Sequence, residues 1–178
     1  MRITSGTLRG RAILVPKGRA VRPTADKVRA AIFDILTPQG VAGSQVLDAF
    51  AGSGALALEA LSRGAAGAVL LDTARAALAL ARANVEALGL APFARVLARS
   101  ALRPGANPIP PVTLAFLDPP YGKGLIERAL PALAPWMAPG CVCVLEAEKS
   151  WPATMPEGFA ATDRRVYGDT ALVFARKV

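Results

Sequence analysis

The stretch Gln45-Val46-Leu47-Asp48-Ala49-Phe50-Ala51-Gly52-Ser53-Gly54-Ala55 decides how this chain folds. A short apolar strand ending in an acid, a turn with two glycines and the start of an Ala/Leu-rich helix follow one another directly. That is the strand, turn and helix plan of a doubly wound α/β sheet. Gly52 and Gly54 let the backbone approach a ligand at the carboxyl end of the strand, where such sheets bind their ligands, and Asp48 places a carboxylate there. A tight turn that binds nothing would satisfy the same residues.

The next strand, Ala68 to Leu71, ends on Asp72. An acid about 20 residues beyond a glycine turn is placed to accept hydrogen bonds from ribose hydroxyls. NAD and S-adenosylmethionine both carry a ribose. The dinucleotide fingerprint Gly-x-Gly-x-x-Gly is broken at Ala57, however, and an acid at the loop suits a positively charged amino group better than a pyrophosphate. These residues therefore favour S-adenosylmethionine.

The alternation extends outward from this point. Pro23-Thr24 opens a helix, with Thr24 as its N-cap, and Val28, Ala31, Ile32, Ile35 and Leu36 fall on one face before Pro38 and Gly40 stop it. Ala55 to Ser62 and Ala74 to Leu88 read as helices, the latter ended by Gly89. Ala94 to Ala98 and Val112 to Leu117 read as strands on either side of the Pro-rich loop 104–111. A helix over 124–133 and a strand from Cys141 to Leu145 follow. Continuous apolar strands alternating with helices predict a mainly parallel sheet covered on both faces. The tail departs from this, because Phe159 to Tyr167 and Ala171 to Ala175 are joined across the turn residues Gly168-Asp169 and predict an antiparallel C-terminal hairpin at the sheet edge. At the other end, Arg2-Ile3-Thr4 and Arg11 to Val15, linked through Gly6 to Gly10 and closed by Pro16, predict a small N-terminal β-hairpin appendage. The expected organisation is one domain over 1–178: the hairpin 2–16, a basic loop and helix 17–40, and an α/β core 45–178.

Composition narrows the possible chemistry. With 178 residues, 53% of them hydrophobic, the chain suffices for one core that buries roughly 70% of its unfolded surface. No apolar run reaches the ~18 residues of a membrane span and the N-terminus lacks a signal-peptide plan, so a cytoplasmic protein with no membrane partner is expected. Cys141 and Cys143 share one face of a strand and read as free, buried thiols. There is no histidine. Ser-His and Cys-His nucleophiles and histidine metal sites are thereby excluded, and no metal is expected. Arg2, Arg9, Arg11, Lys17, Arg19, Arg22, Lys27 and Arg29 stand against Asp26 alone, so the first 29 residues supply +7 of the formal +8. A basic arm on a nearly neutral body points to a polyanion, nucleic acid before membrane. A solvated face that serves solubility is the alternative.

Asp118-Pro119-Pro120-Tyr121 follows the apolar strand that ends in Leu117, at the same sheet edge as the glycine turn. An exocyclic amine of a base is a poor nucleophile because its lone pair is delocalised into the ring. The Asp118 carboxylate and the Pro119 carbonyl can hold the amine hydrogens so that the lone pair faces an incoming methyl. Pro119 and Pro120 fix the backbone and bring no N–H to compete. Tyr121 offers a face on which an extruded base stacks. A plain turn after a strand is the competing reading.

With these residues in hand, the chain resembles the RsmD family, bacterial methyltransferases of a guanine N2 in small-subunit ribosomal RNA. The resemblance begins at Arg2-Ile3-Thr4-Ser5-Gly6 and continues through Arg9-Gly10-Arg11 and Arg22-Pro23-Thr24-Ala25-Asp26-Lys27-Val28-Arg29. It includes Leu47 to Gly54, Leu58-Glu59-Ala60-Leu61-Ser62-Arg63-Gly64 and the tetrapeptide. It implies the Rossmann-like class I methyltransferase fold and S-adenosylmethionine as donor. It also implies 16S ribosomal RNA as acceptor, in a partly assembled small subunit, with the enzyme a monomer. Carried over residue by residue, it places Asp48, Phe50, Ala51, Gly52, Ser53, Gly54, Asp72, Ser100 and Ala101 at the cofactor. It places Arg9, Arg11, Lys17, Arg22, Thr24, Lys27, Arg29 and Lys123 on the RNA. Two positions depart from the family pattern: Ser100 stands where Asp or Asn usually reaches the adenine amine, and Asp72 stands where Glu is more usual.

Two rival functions fit parts of the same pattern. An adenine-N6 or cytosine-N4 DNA methyltransferase uses the same tetrapeptide chemistry but needs a target-recognition region for which this chain has little length. A non-catalytic RNA-binding assembly factor would need neither Asp118 nor Asp72.

Overall fold

The computed structural model describes residues 1–16 and 23–178, apart from the side chains of 23–25 and 39. Lys17, Arg22 and the basic loop that carries them lie outside the described residues, as does the side chain of Thr24.

Strands and helices alternate: α1 (Pro23–Leu36), β1 (Gln45–Asp48), α2 (Ala55–Ser62), β2 (Gly67–Asp72), α3 (Arg75–Ala87), β3 (Ala94–Ala98), β4 (Val112–Leu117), α4 (Leu125–Leu133), β5 (Met137–Glu148), β6 (Phe159–Tyr167) and β7 (Thr170–Lys177). The strands form one sheet in the order β3-β2-β1-β4-β5-β7-β6. The first five are parallel, and β7 pairs antiparallel with both β5 and β6. The strand order reverses between β1 and β4, so a crevice opens at their carboxyl ends.

The two faces of the sheet bury two apolar clusters. Val46, Leu70, Phe116 and Val144 pack beneath α1, α2 and α3. Leu47, Val69, Leu117, Cys143 and Leu145 pack beneath α4. Alternate residues of each parallel strand thus enter opposite cores, which is why these strands read as unbroken apolar runs. Phe33 of α1 meets Phe116 with ring centroids 5.8 Å apart. Cys141 and Cys143 are free and buried, as their spacing predicts. Strand β5 begins at Met137, earlier than the apolar run from Cys141 suggests, because its first residues continue along β4, where Val112 pairs with Met137 before the register shifts.

The N-terminal segment packs into the core. It forms a short antiparallel hairpin in which the Ile3 amide donates to the Arg11 carbonyl (3.0 Å), the Ile13 amide to the Met1 carbonyl (2.9 Å) and the Gly10 amide to the Ile3 carbonyl (2.8 Å) around the bridge of Arg2 to Ala12, and Ile3 and Ile13 enter the same core cluster as Val46 and Leu58. Its partner is α2. The Glu59 carboxylate, fully buried, accepts hydrogen bonds from the Thr4 amide (2.9 Å), the Thr4 hydroxyl (2.6 Å), the Ser5 amide (3.0 Å) and Arg63 Nε (3.0 Å). Gly6, at φ +82°, lies so close to α2 that a Cβ there would fall 1.8 Å from the Ser62 carbonyl oxygen. Where the pairing ends, the Thr4 and Ser5 amides turn to an acid about fifty residues away, which local patterning does not register.

Helix α1 starts at Pro23, which puts Thr24 inside the first turn and not before it, the N-cap expectation notwithstanding. Proline suits this first position because its missing N–H has no partner to lose there.

Candidate active site

Four strand ends converge on a cleft of about 530 Å³. The β1 turn supplies Ala49 and Phe50, the end of β2 Asp72, Thr73 and Ala74, and the turn after β3 Ser100, Ala101 and Leu102. Asp118, Pro119 and Pro120 after β4 close the other side. The cleft therefore brings together Phe50, Asp72, Ser100 and Ala101 from the expected cofactor set with three of the four tetrapeptide residues.

The rest of the glycine turn acts from behind this wall. The Gly52 amide donates to Asp72 Oδ2 at 2.9 Å and the Ala74 amide to Oδ1 at 2.8 Å, so Asp72 ties the first two strand ends together. Each carboxylate oxygen retains a second lone pair for a ribose hydroxyl. Gly54 adopts φ +82°, and a Cβ there would lie 2.6 Å from a Leu70 methyl, so only glycine lets α2 start against β2. The Ser53 carbonyl accepts from Asn84 of α3, whose amide group also bonds both backbone groups of Leu14. One buried side chain thereby joins the glycine turn to the N-terminal segment. Ser100 uses its hydroxyl to accept the Leu102 amide at 3.2 Å, which shapes its own turn.

Asp48 is almost fully buried and accepts the Ala57 amide at 3.3 Å. Burial, opposed by that hydrogen bond and reinforced by the charges of Asp118 and Asp72, pushes its pKa up from 3.8 to about 7. The folded protein therefore binds this proton more tightly than the unfolded chain, and stability falls as pH rises from 3.8 to about 7, then levels off. Asp48→Asn keeps an acceptor for Ala57 and removes the charge. We expect it to match the wild-type unfolding free energy at the acid end and to exceed it at pH 8, by an amount on the order of a few kcal/mol, seen as a higher melting temperature there. Parallel melting curves across this range would refute the account.

A second, shallow recess adjoins the cleft and shares Pro119, Pro120 and Leu125 with it; Tyr121, Lys123, Glu127, Glu146, Glu148 and Trp151 are among its other lining residues. The Tyr121 ring is nearly half exposed. Its hydroxyl lies 3.1 Å from the Thr170 hydroxyl and donates to Glu146 Oε1 at 3.5 Å. Burial and the nearby acids raise its pKa. For Glu146, burial and the charge of Asp118 raise the pKa from 4.5 to about 8.

Sequence reading passed over Glu146 and Thr170. Glu146 carries the signal that singled out Asp72 and Asp118, an acid that directly follows an apolar strand run, here Cys-Val-Cys-Val-Leu. Thr170 has no such signal.

The basic arm divides. Arg29 is corrected as an RNA contact: it is buried, donates to the Arg2 carbonyl at 2.8 Å and pairs with Asp26 (3.1 Å) and Glu59 (3.8 Å), so no phosphate reaches it. Arg11 points its guanidinium at the Ala87 carbonyl (2.8 Å), where a cation stabilises the end of α3. Arg9, Lys27 and Lys123 are exposed.

A family model described as Conserved hypothetical protein 95 matches residues 1–176. The Ribosomal RNA small subunit methyltransferase D of Escherichia coli strain K12 is 38% identical over 174 residues, 96% of this chain and 87% of its own length. The solved structure of yhhF from Escherichia coli, described as a methyltransferase, is similar at a TM-score of 0.85 and 34% identity over 99% of this chain and 97% of its own. A Thermus thermophilus 16S rRNA N2 G1207 methyltransferase, solved in complex with AdoMet and guanosine, shares the fold at a TM-score of 0.69 and 22% identity, over 96% of this chain and 46% of its own. The fold is the Rossmann-like class I methyltransferase fold, with a mostly parallel sheet and a C-terminal antiparallel hairpin.

Proposed function

The chain belongs to the RsmD family of small-subunit ribosomal RNA methyltransferases, and from that premise we propose that it methylates the exocyclic N2 amine of a guanine in 16S ribosomal RNA, with S-adenosylmethionine as donor. The observation that carries this reading is the convergence of Asp118-Pro119-Pro120 on one cleft with Phe50, Asp72, Ser100 and Ala101.

The cleft fits the donor on its own chemistry. Asp72 stands at a strand end with acceptor capacity for ribose hydroxyls. Asp48 is a buried acid whose raised pKa marks a charge lacking a cationic partner, as the ammonium of a methionine group would be. Asp48, Ala51, Gly52, Ser53 and Gly54 support that end of the site, and Ser100 with Ala101 bounds the other. S-adenosylmethionine supplies a sulfonium methyl that is already a good electrophile, so the protein's task is mainly positioning. The Asp118 carboxylate and the Pro119 carbonyl hold the two amine hydrogens and direct the lone pair into the cleft, and Asp118 accepts the proton that leaves as the N–C bond forms. Tyr121 stacks the base.

Arg9, Lys17, Arg22, Thr24, Lys27 and Lys123 bind RNA, Lys123 from the wall of the recess, and Arg11 contributes charge while it caps α3. A partly assembled small subunit is the substrate that suits this arrangement, because its target base is still accessible; the enzyme acts on it as a monomer in the cytoplasm. No described helix is long and apolar enough to cross a membrane.

Incubation with methyl-labelled S-adenosylmethionine and undermethylated small-subunit particles, followed by mass analysis of the nucleosides, tests the reading. N2-methylguanosine is the expected product. Label in adenosine or cytidine, or none at all, would overturn it.

A further inference from the structure

We propose that Glu146 is the residue that selects guanine, by accepting the ring N1–H beside the amine that Asp118 holds. This rests on the guanine-N2 reading above and adds a determinant to it.

The sheet register places the two acids side by side. Leu117, the last residue of β4, pairs with Leu145 of the parallel strand β5, so Asp118 and Glu146 each directly follow one member of that pair. Paired strands lie about 4.8 Å apart, so the backbones of the two acids are neighbours. They also interact electrostatically, as the effect of Asp118 on Glu146 shows. Both stand at Pro119-Pro120, Asp118 on the cleft side and Glu146 in the recess that contains Tyr121. A base stacked on Tyr121, with its amine at Asp118, therefore meets Glu146 with the ring position next to that amine.

The chemistry of that position separates the bases. The amine at N2 of guanine has N1–H, a donor, on one side and N3, an acceptor, on the other, and a carboxylate can accept only on the N1–H side. The amine at N6 of adenine is flanked by N1, and that at N4 of cytosine by N3, and both are acceptors. Ionised Glu146 pairs with the first and opposes the other two, so the discrimination is read above pH 8, where the carboxyl has lost its proton. Of the other acids in the recess, Glu127 already accepts Trp151 Nε1 at 2.7 Å and Glu148 lies at the exposed end of β5. Tyr121 occupies one Glu146 oxygen weakly, at 3.5 Å, which leaves room for a better donor. A carboxylate that burial and a neighbouring charge have made hard to ionise is stabilised by gaining a donor.

The test uses oligouridine carrying one guanine and the same RNA with 2-aminopurine in its place, an analogue that keeps the N2 amine but has an acceptor at N1. Binding is measured by calorimetry in the presence of S-adenosylhomocysteine. The wild-type protein should prefer the guanine RNA by about tenfold, the discrimination one hydrogen bond to a charged group provides. Glu146→Gln, whose amide can donate to the analogue, should bring the ratio close to one. If Glu146 merely propped up Tyr121, the substitution would weaken both RNAs alike and preserve the ratio. Preservation of the ratio, or no preference in the wild-type protein, overturns the proposal. Methyl transfer to undermethylated particles is read in parallel: absence of N2-methylguanosine with wild-type enzyme would defeat the proposed function itself, whereas its presence with an unchanged ratio would defeat only the role of Glu146.

Discussion

Asp118→Ala is expected to slow methyl transfer by about 10²–10³-fold while S-adenosylhomocysteine binds within about threefold of its wild-type affinity. Asp118 is exposed at the mouth of the cleft, beyond the last residue of β4. What is lost is one of the two acceptors that orient the amine and the group that takes its proton. Asp118→Asn keeps one acceptor oxygen without the charge and should fall between Ala and wild type. Single-turnover rates with labelled donor, set beside calorimetric affinities, make the comparison. A large loss of S-adenosylhomocysteine binding in the Ala variant would move Asp118 from the amine to the cofactor.

The second large effect is on stability. Glu59→Ala should lower the melting temperature by roughly 10 °C, since breaking a buried ion pair costs about 3–5 kcal/mol. The substitution removes the acceptor for the Thr4 amide and hydroxyl, the Ser5 amide and Arg63, and takes the carboxylate away from the buried Arg29. Differential scanning calorimetry would register the change. A shift of about 2 °C or less would mean that water replaces these partners and that the N-terminal segment is not clamped as described.

The parts of the molecule legible from sequence are those with local signatures. Strand and helix periods, the glycine turn and acids at strand ends placed β1, α2, β2 and the tetrapeptide correctly, because burial on both faces of a parallel sheet writes itself directly into the chain. Charge misled where it was only counted. Arg29 belongs to the basic run by position, yet it faces inward to Asp26, Glu59 and the Arg2 carbonyl, a contact across the fold that composition does not reveal. Glu59 was visible only as part of a resemblance, and its function depends on Thr4 and Ser5. Glu146 had a usable signal that was overlooked. Thr170 had none, since its relevance arises from the antiparallel return of β7, which sets it beside Tyr121.

That return also fixes the order in which the enzyme becomes complete as it is synthesised. The three strands β3, β2 and β1 have one another as partners once residue 98 has emerged, with the glycine turn and Asp72 already between them. Strand β5, by contrast, lacks its second neighbour until β7 arrives, and Tyr121 lacks Thr170 until the same moment. Cutting the chain before β7 is therefore expected to leave β3, β2 and β1 their mutual pairing while β5 loses a neighbour and Tyr121 loses Thr170.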